Sequence, residues 1–180
     1  MANREVSMKL LNRFIKNEKL RHHCLMVAKA MEAYAKKLKK DEEEINEWWA
    51  AGLLHDLDWE KYPDEHPAVA VDNILPSNGY SQQIIDAVAA HAPERTGKEP
   101  ETPIERYLFA CDELSGFMHA VSLVRPNGFS DMKVKSVKKK LKDKNFAANV
   151  PRDHIKKGAE IIEMNLNDHI AFLIETFRDS

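Results

Sequence analysis

The sequence predicts an all-α fold. Apolar residues recur at steps of three and four nearly everywhere, the mark of amphipathic helices. Only six glycines in 180 residues leave few places for the tight hairpins an all-β chain needs. No internal repeat or low-complexity block breaks the pattern. At 43% hydrophobic, the chain can bury one real core, and the expectation is a single domain over residues 1–180.

The first clear helix begins at Asn17 and carries Leu20, Cys24, Val27, Met31, Tyr34 and Leu38 on one face, closing near KKLKK. Asp41, with Glu44 three residues on, restarts the chain as a capping box, and the next helix runs through Ile45, Trp48, Trp49, Gly52 and Leu53. Pro63 and Pro67 bound a loop. A helix is expected from about Ala68 to Leu75, stopped by Pro76 and the Asn78-Gly79 turn signal. Ser81 caps another, through Ile84, Ile85 and Val88 to His91, and HAPERTGKEPE reads as loop. Thr102, Pro103 and Glu105 form a strong helix start ahead of Ile104, Leu108, Cys111, Ser115 and Met118. After RPNG come two or three shorter helices, and Pro151 to Arg178 reads as two more, joined near Asn165 and Asn167.

A formal net charge of -2 argues against a surface that traps nucleic acid as a whole. The opening MANREVSMKLLNRF lacks the apolar core of a signal peptide, and no segment approaches the roughly 18 apolar residues of a membrane span. A cytoplasmic protein without a membrane partner is expected. Cys24 and Cys111 sit in apolar helical patterns and read as reduced core thiols.

Several ionisable residues fall on the apolar stripes, where an unpaired charge is costly. His23 lies three after Leu20 and four before Val27, whereas His22 shares a different face with Glu18 and Met26. His55 lies seven after Trp48, Asp56 seven after Trp49, His91 three after Val88 and Asp112 four after Leu108. Singly, each has a bland reading: a hydrogen-bonded core histidine, or an aspartate paired with a lysine. Jointly, one metal would compensate all four helices. Imidazole with carboxylate suits a divalent transition metal better than magnesium alone or a structural zinc, which usually recruits cysteine. Such an ion keeps positions open for water, lowers its pKa and polarises a phosphoryl oxygen.

His23 in KLRHHCLMVA, His55 and Asp56 in AGLLHDLD, and Asp112 in LFACDELSGF follow an order that resembles the HD superfamily of metal-dependent phosphohydrolases. The resemblance covers a core of about residues 17–123, and the helical extension of about 124–180 is similar to that of compact bacterial HD proteins, from which no substrate follows. It implies an all-α core of five or more helices with the four residues around a metal. Two further histidines, His66 in DEHPAVA and His91 in VAAHAPE, are similar in spacing to those of bacterial dinucleoside tetraphosphate hydrolases with dinuclear iron. That likeness implies Asp56 as a bridge, His23, His55 and Asp112 on one ion, and His66 and His91 on a second. On its own residues His66, between prolines, could equally be a surface or helix-start histidine. One or two divalent ions are implied, Fe, Mn, Zn, Co, Ni or Mg. The absence of a GYP motif after His-Asp disfavours cyclic dinucleotide phosphodiesterases.

Asp58 and Lys61 are candidates to orient the attacking water or hold phosphate, with a solvated loop as the alternative. His119, seven after Asp112, is a candidate substrate contact or general acid, or else a satisfied histidine at the core edge. Residues 125–144 hold eight Lys or Arg against two Asp, about +6 where the rest carries about -8. Arg125, Lys133, Lys135 and Lys139 are candidates for phosphate contact there, a solvated helix face being the other reading. With almost no aromatic residue interleaved, a nucleic-acid groove is not expected. The expected activity is hydrolysis of a phosphate ester or anhydride of a small metabolite, a nucleotide or dinucleotide. The alternative is a non-catalytic nucleotide-binding or regulatory HD module. A homo-oligomer is left open.

Overall fold

The computed structural model describes residues 3–178, and among them there are helices and turns but no strand. In chain order these are α1 (Arg4–Phe14), α2 (Glu18–Lys37), α3 (Glu42–Leu54), a π-helical turn (Ala70–Ile74), α4 (Leu75–Ser77), α5 (Gln82–Ala90), α6 (Pro93–Thr96), α7 (Pro103–Leu123), α8 (Val134–Lys142), α9 (Arg152–Ile161) and α10 (Leu166–Phe177). No helix is long and apolar enough to cross a membrane among these residues.

Most boundaries follow local chemistry. The Asn17 carboxamide accepts from the Lys19 and Leu20 amides, and Asp41 and Glu44 form the expected capping box. The Glu105 carboxylate accepts from the Glu101 and Thr102 amides, with Pro103 in the first turn, and Asn165 caps α10 through the Asn167 amide.

Other elements are absent from the sequence reading or depart from it. The N-terminal stretch forms a helix, capped by Asn3 and tied to the bundle by Ser7 Oγ against Tyr80 Oη at 2.9 Å. Pro76 does not end its helix: it sits in the first turn of α4, and the chain stops only at Asn78 and Gly79, whose φ of +73° suits glycine. The presumed loop after His91 contains α6. Between RPNG and Pro151 only α8 forms among the described residues. Leu38 is exposed at the end of α2, and the Ser81 hydroxyl donates to Glu47 Oε1 instead of capping α5.

One hydrophobic cluster runs from Leu10 on α1 to Phe177 on α10. Within it α7 is the hub, packing against α2, α3, α5, α8 and α9. Two glycines permit the closest approaches. A Cβ on Gly52 would lie 2.8 Å from the Ala28 Cα and 2.9 Å from the Val27 carbonyl oxygen, so a side chain there would force α3 away from α2. Likewise a Cβ on Gly158 would lie 2.8 Å from the Ala110 Cα, so α9 presses directly on α7.

His169 shows what a purely structural histidine does here. Tyr34 Oη donates to its Nδ1 at 2.5 Å and its Nε2 donates to the Ala110 carbonyl at 3.0 Å, so the neutral ring is fully paired. Burial pushes its pKa down to about 4 from an ordinary 6.5. Above 6.5 neither folded nor unfolded chain carries this proton, and below about 4 both do; between them only the unfolded chain binds it. Stability therefore rises with pH across that window, by about 3 kcal/mol for this one group. Urea titrations with chelator present should show this slope in the wild type and a shallower one in His169→Gln; equal slopes would refute it.

Candidate metal centre

Four elements deliver the candidate ligands. His23 projects from α2, His55 and Asp56 follow the last turn of α3, His91 closes α5, and Asp112 lies midway along α7. His66 arrives from the turn region ahead of the π-helical segment and is buried, so the surface reading of this residue does not hold. Two groups result, His23–His55–Asp112 and Asp56–His66–His91, each with its ligand atoms within 4.8 Å of one another.

Asp56 lies between them. Its Oδ2 is 3.3 Å from His55 Nε2 and 3.7 Å from His23 Nε2; its Oδ1 is 3.4 Å from His66 Nε2 and 3.8 Å from His91 Nε2. Asp112 Oδ1 is 3.0 Å from His23 Nε2 and 3.3 Å from His55 Nε2.

The outer ring nitrogens settle which way the donors face. His55 Nδ1 donates to the Gly52 carbonyl at 2.8 Å, His91 Nδ1 to the Val88 carbonyl, and His66 Nδ1 to Asp58 Oδ1 at 2.7 Å. Each acceptor can only accept, so in the neutral rings the inward Nε2 atoms carry lone pairs. Yet His66 and His91 face each other Nε2 to Nε2 at 3.1 Å, and His23 and His55 at 3.2 Å. The opposed lone pairs of His66 and His91, with Asp56 Oδ1 beside them, call for a cation, and nitrogen with oxygen is the donor set of divalent transition ions. The residues fit one ion in each group. Cys24 stands beside His23 in the chain but belongs to neither group, and burial pushes its thiol up to about 12.

The charges within the cluster polarise one another. Burial works to lower His55, but the Asp56 and Asp112 carboxylates override it and hold the imidazole well above its ordinary value. Against the same burial, the neighbouring histidines, His55 foremost, hold Asp56 and Asp112 below the usual carboxylate range. Burial and the charge of His55 push His91 down to about 4. Glu113 is pushed up to about 8 by burial and by the Asp112 and Asp56 charges.

A cavity of about 470 Å³ opens over the ligands. Its walls include Trp59, Glu94, Arg95 and Glu113, and also Asn149 and His154 from the C-terminal extension. None of these six was picked out from the sequence. Glu113 had a signal, its adjacency to Asp112, and His154 shares the α9 face of Gly158 four residues later.

Other candidates are placed differently. Asp58 is fully buried and does not line the cavity, its Oδ1 accepting from His66 and its Oδ2 from the Ala70 amide at 2.8 Å, so it meets neither water nor phosphate there; it holds the His66 ring in position. Lys61 is exposed, its Nζ 4.5 Å from the Phe14 ring centroid, and does not line the cavity. The His119 ring packs against that of His22, centroids 4.5 Å apart and tilted by 45°, and lines a neighbouring cavity with His23. The basic segment is not brought to the ligands. Arg125 is spent on Asp131 and Ser136, Lys133 is exposed at the start of α8, and Lys135 and Lys139 line a separate surface hollow with Asp168. An amphipathic α8 buries Val137 and turns these lysines to solvent.

Comparison with curated proteins and with solved structures returned no match. A family model described as HD domain matches residues 20–116, more than half of the chain, and this span holds every candidate ligand from His23 to Asp112. By that match the chain belongs to the HD domain family.

Proposed function

We propose that the protein is a metal-dependent phosphohydrolase that holds two divalent ions and cleaves a phosphate ester or anhydride of a small metabolite, a nucleotide or dinucleotide. The observation that carries the reading is the divided carboxylate of Asp56, with one oxygen toward each histidine group. His23, His55 and Asp112 would hold one ion, His66 and His91 the other, with Asp56 shared. When bound, the ions supply Lewis acidity toward a phosphoryl oxygen and lower the pKa of water.

The chain's own groups do the rest. Glu113 on α7 and His154 on α9 both line the cavity, and a cation among the carboxylates would reverse the charge effect that raises Glu113. Glu113 would then take a proton from the attacking water while a new O–P bond forms; His154 would give one to the leaving oxygen as its bond to phosphorus breaks.

The test is elemental analysis of protein purified without added metal, alongside phosphate release from p-nitrophenyl phosphate, its bis-ester and a nucleotide panel. About two equivalents of transition metal with turnover is the expected result. Absence of metal, or no product with any metal, would sink the reading; tight nucleotide binding without product would favour a regulatory HD module.

A further inference from the structure

Trp59 is the one tryptophan of three left open to solvent: 40% exposed, against 1% for Trp48 and 9% for Trp49. A single exposed indole needs no special explanation. This one, however, is held stiffly at the rim of the metal cluster. Its ring meets the His66 ring edge-on, with centroids 4.8 Å apart at 82°. The Arg95 guanidinium carbon lies 5.2 Å from the indole centroid, and Arg95 is itself anchored by donating to the carbonyls of Pro63 at 2.8 Å and His66 at 3.1 Å. The indole is thus fixed by a ligand ring on one side and an anchored cation on another.

Trp59 also separates two hollows. It lines the 470 Å³ cavity over the ligands and a neighbouring one of about 560 Å³, which share His23 and Gly116. Arg95 lines the first and not the second, so the part of the indole facing the second is free of the guanidinium. Lys19 and His119 border that second hollow and offer polar groups around a bound ring. Its volume falls within the range of small-molecule sites.

We infer that Trp59 is the stacking platform for the substrate's leaving group, and that this group carries a planar aromatic ring, as a nucleoside does. The phosphate would sit over the ligands and the ring against the indole, in the adjoining hollow. A preorganised aromatic face gains binding from a stacked base. The inference rests on the phosphohydrolase reading and deepens it by naming the residue that selects an aromatic leaving group.

Manganese-loaded full-length protein, titrated by tryptophan fluorescence and calorimetry, tests it. The probes are inorganic phosphate and the methylene phosphonates of AMP and ribose 5-phosphate, in which CH2 replaces the scissile oxygen so that neither is turned over. The AMP analogue should quench fluorescence and bind roughly tenfold tighter than the ribose analogue. Trp59→Ala should abolish that preference while keeping metal content and phosphate affinity, and Trp59→Phe should retain most of it. Phosphate binding without preference for the AMP analogue, or a preference that survives Trp59→Ala, would overturn this inference alone. No phosphate binding by the loaded wild type would overturn the phosphohydrolase reading with it.

Discussion

Asp56→Ala is expected to empty both metal positions at once. Every other ligand serves one group, whereas the Asp56 oxygens reach His55 and His23 on one side and His66 and His91 on the other. Losing a residue that merely orients a ligand costs about 10- to 100-fold in metal affinity, so losing a shared carboxylate should exceed that at each position. If the ions supply several kcal/mol of transition-state stabilisation, phosphate release should fall on the order of 10³-fold. Elemental analysis beside the kinetics is the measurement. A variant that keeps two equivalents, or loses only one, would show that Asp56 is not shared.

The same charges give metal loading a pH dependence. His55 is driven down by burial but held well above 6.5 by Asp56 and Asp112, so below its raised pKa a proton occupies the nitrogen that the ion requires. Loading of this position should therefore tighten as pH rises through that value and weaken as it falls. Asp56 and Asp112 stay carboxylates throughout, because their pKa values lie below the usual range, and they do not set the window.

What was legible in the sequence was whatever helical periodicity controls. His23, His55, His91 and Asp112 lie three, four or seven residues from buried neighbours, and the same spacings turn them inward, His55 and His91 buried and His23 and Asp112 half-buried at the cavity. His66 has no helical register to place it; its inward position depends on the path of residues 57–69 and on Asp58, which composition does not encode. Within that turn Asp58 is fully buried while Lys61, three residues on, is exposed, and both looked alike as polar loop residues. The lysines of α8 failed for a different reason. An amphipathic basic helix reads the same whether its polar face meets a substrate or only water, and the choice depends on long-range packing. Asn149 and His154 were missed because their place at the cavity comes from α9 pressing on α7, a contact between residues far apart in the chain.

Asp58→Asn should remove one ion and leave the other. The carboxylate accepts twice, from His66 Nδ1–H and from the Ala70 amide, and both bonds are buried. An asparagine has one acceptor oxygen and one donor nitrogen. If its oxygen keeps the Ala70 amide, its NH2 faces His66 Nδ1 and drives that ring into the other tautomer, with the proton on Nε2. That is the atom aimed at Asp56 Oδ1 and His91, and a protonated nitrogen is no ligand. If its oxygen keeps His66 instead, the Ala70 N–H meets a second donor in a buried place, at a cost of about 1–3 kcal/mol in stability. The first arrangement avoids this, so the tautomer should change. Metal content should fall from about two equivalents to about one, with a 10- to 100-fold weaker second position. The His23–His55–Asp112 group, which Asp58 does not touch, should load as before. Imidazole 15N resonances of His66 in the diamagnetic zinc form would report the tautomer directly. Two tightly held ions with Nδ1 still protonated would show that Asp58 does not position this ligand.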